Sequence, residues 1–133
     1  MIEADKLRSL PLFNVLPEGE REAIAQYVDE IDVPIGETLI TEGDFAYSFF
    51  VVEHGQAQVS VEGERVGTLG PGDFFGEVGL TLTGRRTATV TALSPMVLVT
   101  MFEQNFRRVE QQYPEVAKSL RDAVKDRFPI RAK

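Results

Sequence analysis

The chain has 133 residues, 43% hydrophobic and 26% charged, the composition of one globular domain with a real core rather than a disordered or fibrous chain. Its net charge of −7 excludes the general basic field by which proteins hold nucleic-acid phosphates. With no cysteine and His54 as the sole histidine, disulfides, thiolate metal sites, cysteine nucleophiles and any metal centre needing two imidazoles are excluded together.

Leu7 to Val15 is a short mixed stretch interrupted by Pro11. A helix is then predicted from Leu16 to Val28: Pro17 suits its first turn, acids enrich that turn, and Ile24, Tyr27 and Val28 share one face. From Glu30 to about Met101 the texture becomes short β-type runs. Strands are expected at Glu37–Thr41, Tyr47–Glu53, Gln56–Val61, Arg65–Leu69, Thr87–Ala92 and Met96–Phe102. Turn signals at Gly36, Gly43, Gly55, Gly63 and Gly70-Pro71-Gly72 separate them, a spacing that fits an antiparallel sandwich or barrel. Glu62-Gly63-Glu64 reads as a tight hairpin with glycine at positive φ. After Phe102 the period becomes helical again. Phe106, Val109 and Tyr113 form one apolar face, Val116, Leu120 and Val124 another, with Pro114 between the two helices.

Charge is uneven along the chain. Up to Gly63 the cations are Lys6, Arg8 and Arg21, whereas Arg107, Arg108, Lys118, Arg121, Lys125, Arg127, Arg131 and Lys133 crowd the end. That end is either a solvated helical face with pairs such as Lys118–Asp122, or a contact surface for an acidic partner. The opening Met1-Ile2-Glu3-Ala4-Asp5-Lys6 lacks the basic-then-apolar order of a signal peptide, and no apolar run approaches the roughly 18–20 residues of a membrane span. A cytoplasmic domain without membrane contact is the expectation.

The stretch with chemistry in it runs from Phe74 to Val90, longer than the roughly two to five residues of a plain hairpin connection. It holds Gly76, Gly79 and Gly84, one acid, Glu77, and the adjacent cations Arg85 and Arg86. Glycines let an anion approach bare backbone N–H groups, and a guanidinium offers paired donors to two phosphate oxygens. A carboxylate beside an anion repels it, but suits a neighbouring hydroxyl such as a ribose presents. Phosphate beside a sugar hydroxyl describes a nucleotide. By themselves these residues also fit a surface carboxylate, an exposed arginine pair and ordinary turn glycines.

Phe75-Gly76-Glu77-Val78-Gly79-Leu80 followed by Arg86-Thr87-Ala88-Thr89-Val90 resembles the phosphate-binding cassette of the cyclic-nucleotide-binding domain family, with Glu77 and Arg86 nine positions apart. That family includes the catabolite activator protein, protein kinase A regulatory subunits and cyclic-nucleotide-gated channels. Leu12 to Leu16, Ile35 to Asp44, Phe49 to Gly55 and Leu69 to Glu77 resemble its other landmarks, so the resemblance covers nearly the whole chain. It implies a mainly β fold with flanking helices: a double-stranded β-helix, or jelly-roll barrel, of about eight strands, with an N-terminal helical lead-in and two C-terminal helices. One domain over 1–133 is expected, with helices in 1–29, the β-roll in 30–102, the cassette at 75–90 and the B and C helices in 103–128.

Carried over by position, the resemblance implies that Arg86 neutralises the cyclic phosphate and Glu77 accepts from the ribose 2′-hydroxyl. Gly76, Val78, Gly79 and Leu80 would line a short cassette helix, with Thr87 and Ala88 near phosphate and base and Val61, Val66 and Leu69 around the base. Gly79 stands where Ala or Ser is commoner, and Arg85 where Pro is frequent; Arg86 rather than Arg85 is assigned the phosphate by its spacing from Glu77. The ligand implied is cyclic AMP rather than cyclic GMP, although a hydroxyl at Thr87 can contact guanine. Arg127, with Arg121 as runner-up, would cap the purine from the C-terminal lid helix, expected from Pro114 to about Phe128. No catalytic residue, metal or cofactor is expected, and His54 is taken as structural. The partner the resemblance implies is a cyclic nucleotide, with an effector domain or partner protein expected to engage through the C-terminal helices. A degenerate member acting only as a protein-interaction module is the alternative. A DNA-binding helix-turn-helix does not fit in the five or so residues after Phe128.

Overall fold

A computed structural model describes residues 1–44, 48–76 and 86–126, the side chains of 124–126 excepted. Three short helices open the chain: α1 (Ala4–Arg8), α2 (Pro11–Asn14) and α3 (Glu18–Ala25). Eight strands follow among the described residues: β1 (Asp29–Val33), β2 (Thr38–Ile40), β3 (Ser48–His54), β4 (Ala57–Val61), β5 (Glu64–Leu69), β6 (Phe74–Phe75), β7 (Thr89–Ala92) and β8 (Met96–Phe102). Two helices close it, α4 (Glu103–Gln112) and α5 (Pro114–Asp126). The strands form two antiparallel four-stranded sheets, ordered β1-β8-β3-β6 and β2-β7-β4-β5. Non-sequential neighbours in both sheets are the mark of a jelly-roll, and the mainly β class with flanking helices holds.

Two cores result, one on each side of the first sheet. Successive side chains of a strand point to opposite faces. Phe49 and Val51 of β3, with Val99 and Met101 of β8, therefore join the helical layer of Leu7, Leu12, Phe13, Ile24, Phe106, Val109 and Leu120. Phe50 and Val52, with Leu98, face inward and meet Val59, Leu69, Val90 and Ala92 of the second sheet. Both faces of β3 are thus covered, which is why Ser48-Phe49-Phe50-Val51-Val52 is almost uniformly apolar instead of alternating. The Phe50 and Phe75 rings stack at 4.9 Å, carrying β6 onto β3.

Several elements depart from the sequence reading. Leu7 to Val15 makes two helical turns, with Pro11 at the first position of α2, where its missing N–H costs nothing. The helix predicted over 16–28 ends at Ala25. Val28 is buried beyond it as the chain enters β1, a strand hidden by the acidic run Asp29-Glu30-Ile31-Asp32. β6, only two residues long, is too short to carry a pattern. The remaining strands lie within two residues of expectation, with Tyr47 outside the described residues.

Tyr113 does not share the buried face of Phe106 and Val109. It is 38% exposed, because α4 stops at Gln112 and Tyr113 adopts φ −137°, a joint at which its carbonyl accepts from Val116 and Ala117 of α5. Val116 and Leu120 are buried as expected, joined by Ala117 and Ala123, and α5 packs against α2, α3 and α4. The side chain of Val124 lies outside the described residues. Lys118 and Asp122 do pair, at 3.1 Å and well exposed.

Candidate functional site

The segment between β6 and β7 is entered at Gly76 and left at Arg86, and the structure brings these two ends together. Arg86 is only 7% exposed. A buried guanidinium is costly unless its N–H groups find acceptors. Here Nη2 donates to the Ser48 carbonyl at 2.9 Å, with the Ser48 Oγ at 3.4 Å, and Nη1 donates to the Gly76 carbonyl at 3.3 Å. Gly76 has φ +79°, and a β-carbon there would stand 2.8 Å from Arg86 Nη1 and 2.9 Å from the Ser48 carbonyl. Only glycine fits on both counts.

The backbone of Arg86 is gripped as firmly as its side chain. Its N–H donates to the Asp44 carbonyl at 2.7 Å, and its carbonyl accepts from the Gly43 N–H at 2.9 Å. Gly43, at φ +90°, belongs to the turn that follows β2. Arg86 is therefore fixed by three remote pieces of chain: the 43–44 turn on its backbone, and the first residue of β3 and the residue after β6 on its guanidinium. An arginine held this way presents a charge whose position does not depend on its own rotamer freedom. That is the property a site for a small anion needs.

Val61, Leu69 and Ala88 sit at different depths along the interior of the second sheet. Ala57, Val59 and Val61 lie on one face of β4; the first two are buried and Val61 is half-buried. β4 and β7 pair as far as Ser60–Thr89, so Val61 lies at the Arg86 end of the roll. Ala88 packs against the interior core close by, and Thr87 is exposed. Leu69 pairs with Ala57 at the other end of the hairpin and is 2% exposed, a core residue by its surroundings. Val66 is 61% exposed. Val59 pairs with Gly67 and Ser60 with Arg65, so Val66 is the extra residue of a β-bulge, which takes it out of the alternation. Glu77, Val78, Gly79, Leu80 and Arg85, within residues 77–85, and the lid candidate Arg127 lie outside the described residues.

Arg121, the second lid candidate, is engaged elsewhere. Its Nη1 meets Glu110 Oε2 at 2.7 Å, and its guanidinium carbon lies 5.7 Å from the centre of the Phe106 ring, joining α5 to α4. Sequence reasoning missed Ser48, and no local signal marks it, because the contact spans 38 positions. The Gly43-Asp44 turn was visible as a turn, but not as a partner of Arg86.

Among the described residues the largest protonation shift lies toward the other end of β3 from Ser48, at the rim of the helical layer. Burial first, and then the neighbouring Glu30 carboxylate, push the Glu53 carboxyl up to about 7. Glu53 Oε1 is buried without a hydrogen-bond partner. Glu30 is held below the usual carboxylate range by a hydrogen bond from Glu53 and by Lys6, whose ammonium lies 2.7 Å from Glu30 Oε2. Among the described residues no group of His, Cys, Asp or Glu is placed to hold a metal ion, and no helix is long and apolar enough to cross a membrane.

Known proteins give the same picture. Residues 30–113, more than half of the chain, match the cyclic nucleotide-binding domain family. A cAMP-dependent protein kinase regulatory subunit of Yarrowia lipolytica is 37% identical over 105 residues, covering 77% of this chain and 28% of that protein. The chain thus corresponds to little more than a quarter of that relative. The N-terminal domain of a transcriptional regulator from Streptomyces coelicolor superposes with a TM-score of 0.79 at 30% identity, covering 93% of this chain and 92% of that one. A putative cyclic nucleotide-binding protein from Geobacter metallireducens, 21% identical, shares the fold with a TM-score of 0.84 over 95% of both chains. By this match the chain belongs to the cyclic nucleotide-binding domain family.

Proposed function

We propose that this chain is a regulatory domain that binds a 3′,5′-cyclic nucleotide, cyclic AMP in preference to cyclic GMP, and releases it unchanged. The observation that carries the proposal is the guanidinium of Arg86, buried and fixed between Ser48 and Gly76. A charge held there attracts a phosphate carrying one negative charge, and bidentate contact to its two free oxygens supplies the orientation. Residues 75–90 act as the cassette within one domain spanning 1–133, with Glu77 on the ribose 2′-hydroxyl and Gly76, Val78, Gly79 and Leu80 around the sugar phosphate. Thr87 and Ala88 lie between phosphate and base, and Val61 walls the base. The choice of cyclic AMP is supported by the name of the kinase regulatory subunit to which this chain is similar.

The signal passes to α5. Its face of Val116, Ala117, Leu120 and Ala123 lies on the helical layer, and a shift of its last turns toward the pocket, with Arg127 over the purine, would couple occupancy to helix position. Such coupling requires contacts that ligand makes in one helix position and not in the other. An effector domain or partner protein, within the cytoplasm, would read that position. No group in this reading acts as catalytic base, nucleophile or metal ligand.

One observation favours a second reading, an interaction module that has lost its ligand: both Nη atoms of Arg86 already have backbone acceptors. Calorimetric titration of the folded domain with cyclic AMP, cyclic GMP and 5′-AMP separates the two. Saturable binding of cyclic AMP, weaker cyclic GMP and much weaker 5′-AMP is expected. Dilution heat alone with all three rejects nucleotide binding and leaves the interaction module.

A further inference from the structure

The turn between β2 and β3 does more than grip the Arg86 backbone. Its Glu42 side chain reaches sideways to the tip of the β4–β5 hairpin, where Oε1 accepts the Glu62 N–H at 2.9 Å. Val61 and Glu64 pair across a two-residue turn, and both central residues have positive φ, +52° at Glu62 and +82° at Gly63. Positive φ at both positions makes this a type I′ turn, in which the N–H of the first central residue has no partner within the hairpin. It is also uncommon for a residue with a side chain, as Glu62 has. Glu42 satisfies that N–H from outside.

Among the described residues, strand pairing does not reach past the tip of this hairpin on either side. β5 is the edge of its sheet, and the β4–β7 ladder ends at Ser60–Thr89, one residue short of Val61. Meanwhile the Glu42 N–H donates to Thr89 Oγ1 at 3.0 Å, Gly43 donates to the Arg86 carbonyl at 2.9 Å, and Asp44 accepts from the Arg86 N–H at 2.7 Å. Three consecutive residues therefore contact the chain around Arg86 on one side and the Val61 turn on the other.

We infer that Glu42 is a positioning residue of the nucleotide site: its carboxylate sets the distance between the hairpin wall at Val61 and the guanidinium of Arg86, and so governs the fit of the purine. The inference rests on the nucleotide-binding reading above. It adds a residue outside the 75–90 cassette, acting through the hairpin and touching no ligand itself. Glutamine in its place would still present a carbonyl oxygen to Glu62. Aspartate would keep the charge but shorten the reach by one methylene.

The test compares wild type with Glu42→Ala, Glu42→Gln and Glu42→Asp. It measures cyclic AMP and cyclic GMP affinity by calorimetry and the exchange rate of the Glu62 amide by NMR. Glu42→Ala is expected to weaken cyclic AMP about 5- to 10-fold and to narrow the cyclic AMP to cyclic GMP ratio at least threefold. The Glu62 amide should exchange at least tenfold faster. Glu42→Gln should stay within twofold of wild type in all three readouts, and Glu42→Asp should follow Glu42→Ala and carries the same test if the alanine variant does not fold. The ratio matters because a domain that is merely less stable loses both nucleotides equally. An unchanged ratio, an unchanged Glu62 amide, or equal losses in Glu42→Gln and Glu42→Ala would overturn the positioning role while wild type still binds. Wild type that binds neither nucleotide overturns the underlying reading instead, and the positioning role with it.

Discussion

On β3 five consecutive residues, Ser48 to Val52, are buried, whereas on β5 only Leu69 is. The two strands lie in sheets of equal size, and the difference comes from what covers them. The first sheet is sandwiched between the helices and the roll interior, so every side chain near the middle of β3 and β8 has a packing partner. Among the described residues the second sheet has one covered face and ends at β5. Stability is thereby concentrated in the sheet that carries the helices, and the other supplies a wall with room to adjust. Arg86 stands between them: its side chain reaches Ser48 at the start of β3, and its backbone leads into β7 of the second sheet.

The strongest way to break this contrast is Phe49→Ala. Phe49 is 1% exposed within the helical core and packs against Phe74 at 5.8 Å, so a loss of about 3–5 kcal/mol in chemical denaturation is expected. Next comes Arg86→Ala, which removes a charge held from both sheets. A loss of cyclic AMP affinity of 100-fold or more, about 3 kcal/mol, is expected by calorimetry. Arg86→Lys should recover only part of it, because an ammonium cannot span Ser48, Gly76 and two phosphate oxygens. Gly76→Ala should cost about 2 kcal/mol in stability, since it imposes positive φ on a side chain and pushes into Arg86; the thermal midpoint should fall, and cyclic AMP binding with it.

A smaller effect sharpens the helical side of the comparison. Because Glu53 in the folded protein holds its proton up to about 7, above the ordinary 4.5, the native state binds more protons than the unfolded chain between those values. Stability from this group therefore falls as pH rises through that window. Glu30, shifted downward, contributes in the opposite sense, with stability present above its ordinary value and lost as pH falls below it. The wild-type urea midpoint should accordingly decline between about pH 5 and 7.5, and Glu53→Gln should abolish that decline. The least effect belongs to Val66→Ala on the exposed bulge of β5, within about 0.5 kcal/mol of wild type in stability. A much larger loss there would show that β5 is as tightly built as β3, and the contrast would fail.

Much of this arrangement could be read from residues close together in the chain. Gly76 and Arg86 stood out through glycine spacing and the distance to Glu77, and the structure brings those two together. The Val61–Glu64 hairpin was readable from Gly63, since a positive φ is a local requirement. β1 and β6 were not readable: one is an acidic strand whose burial is mainly at Val33, and the other has only two residues. Tyr113 looked like a third core residue of α4 because periodicity does not reveal that the helix stops at Gln112, two residues before Pro114.

Alternation and turn glycines in the sequence pointed to an antiparallel sandwich or barrel and placed its turns, and the resemblance of the 75–90 motif implied the jelly-roll class, the family and the choice of Arg86 over Arg85. These depend on alternation, glycine conformations and motif spacing, all short-range properties of the chain. Tertiary structure alone decided that Ser48 and the 43–44 turn hold Arg86, that Val66 leaves the alternation in a bulge, that Arg121 ties α5 to α4, and that Glu42 reaches the β4–β5 turn. Each of those contacts depends on strand order and register across the roll. No local pattern encodes the partner of a hydrogen bond that spans 38 positions.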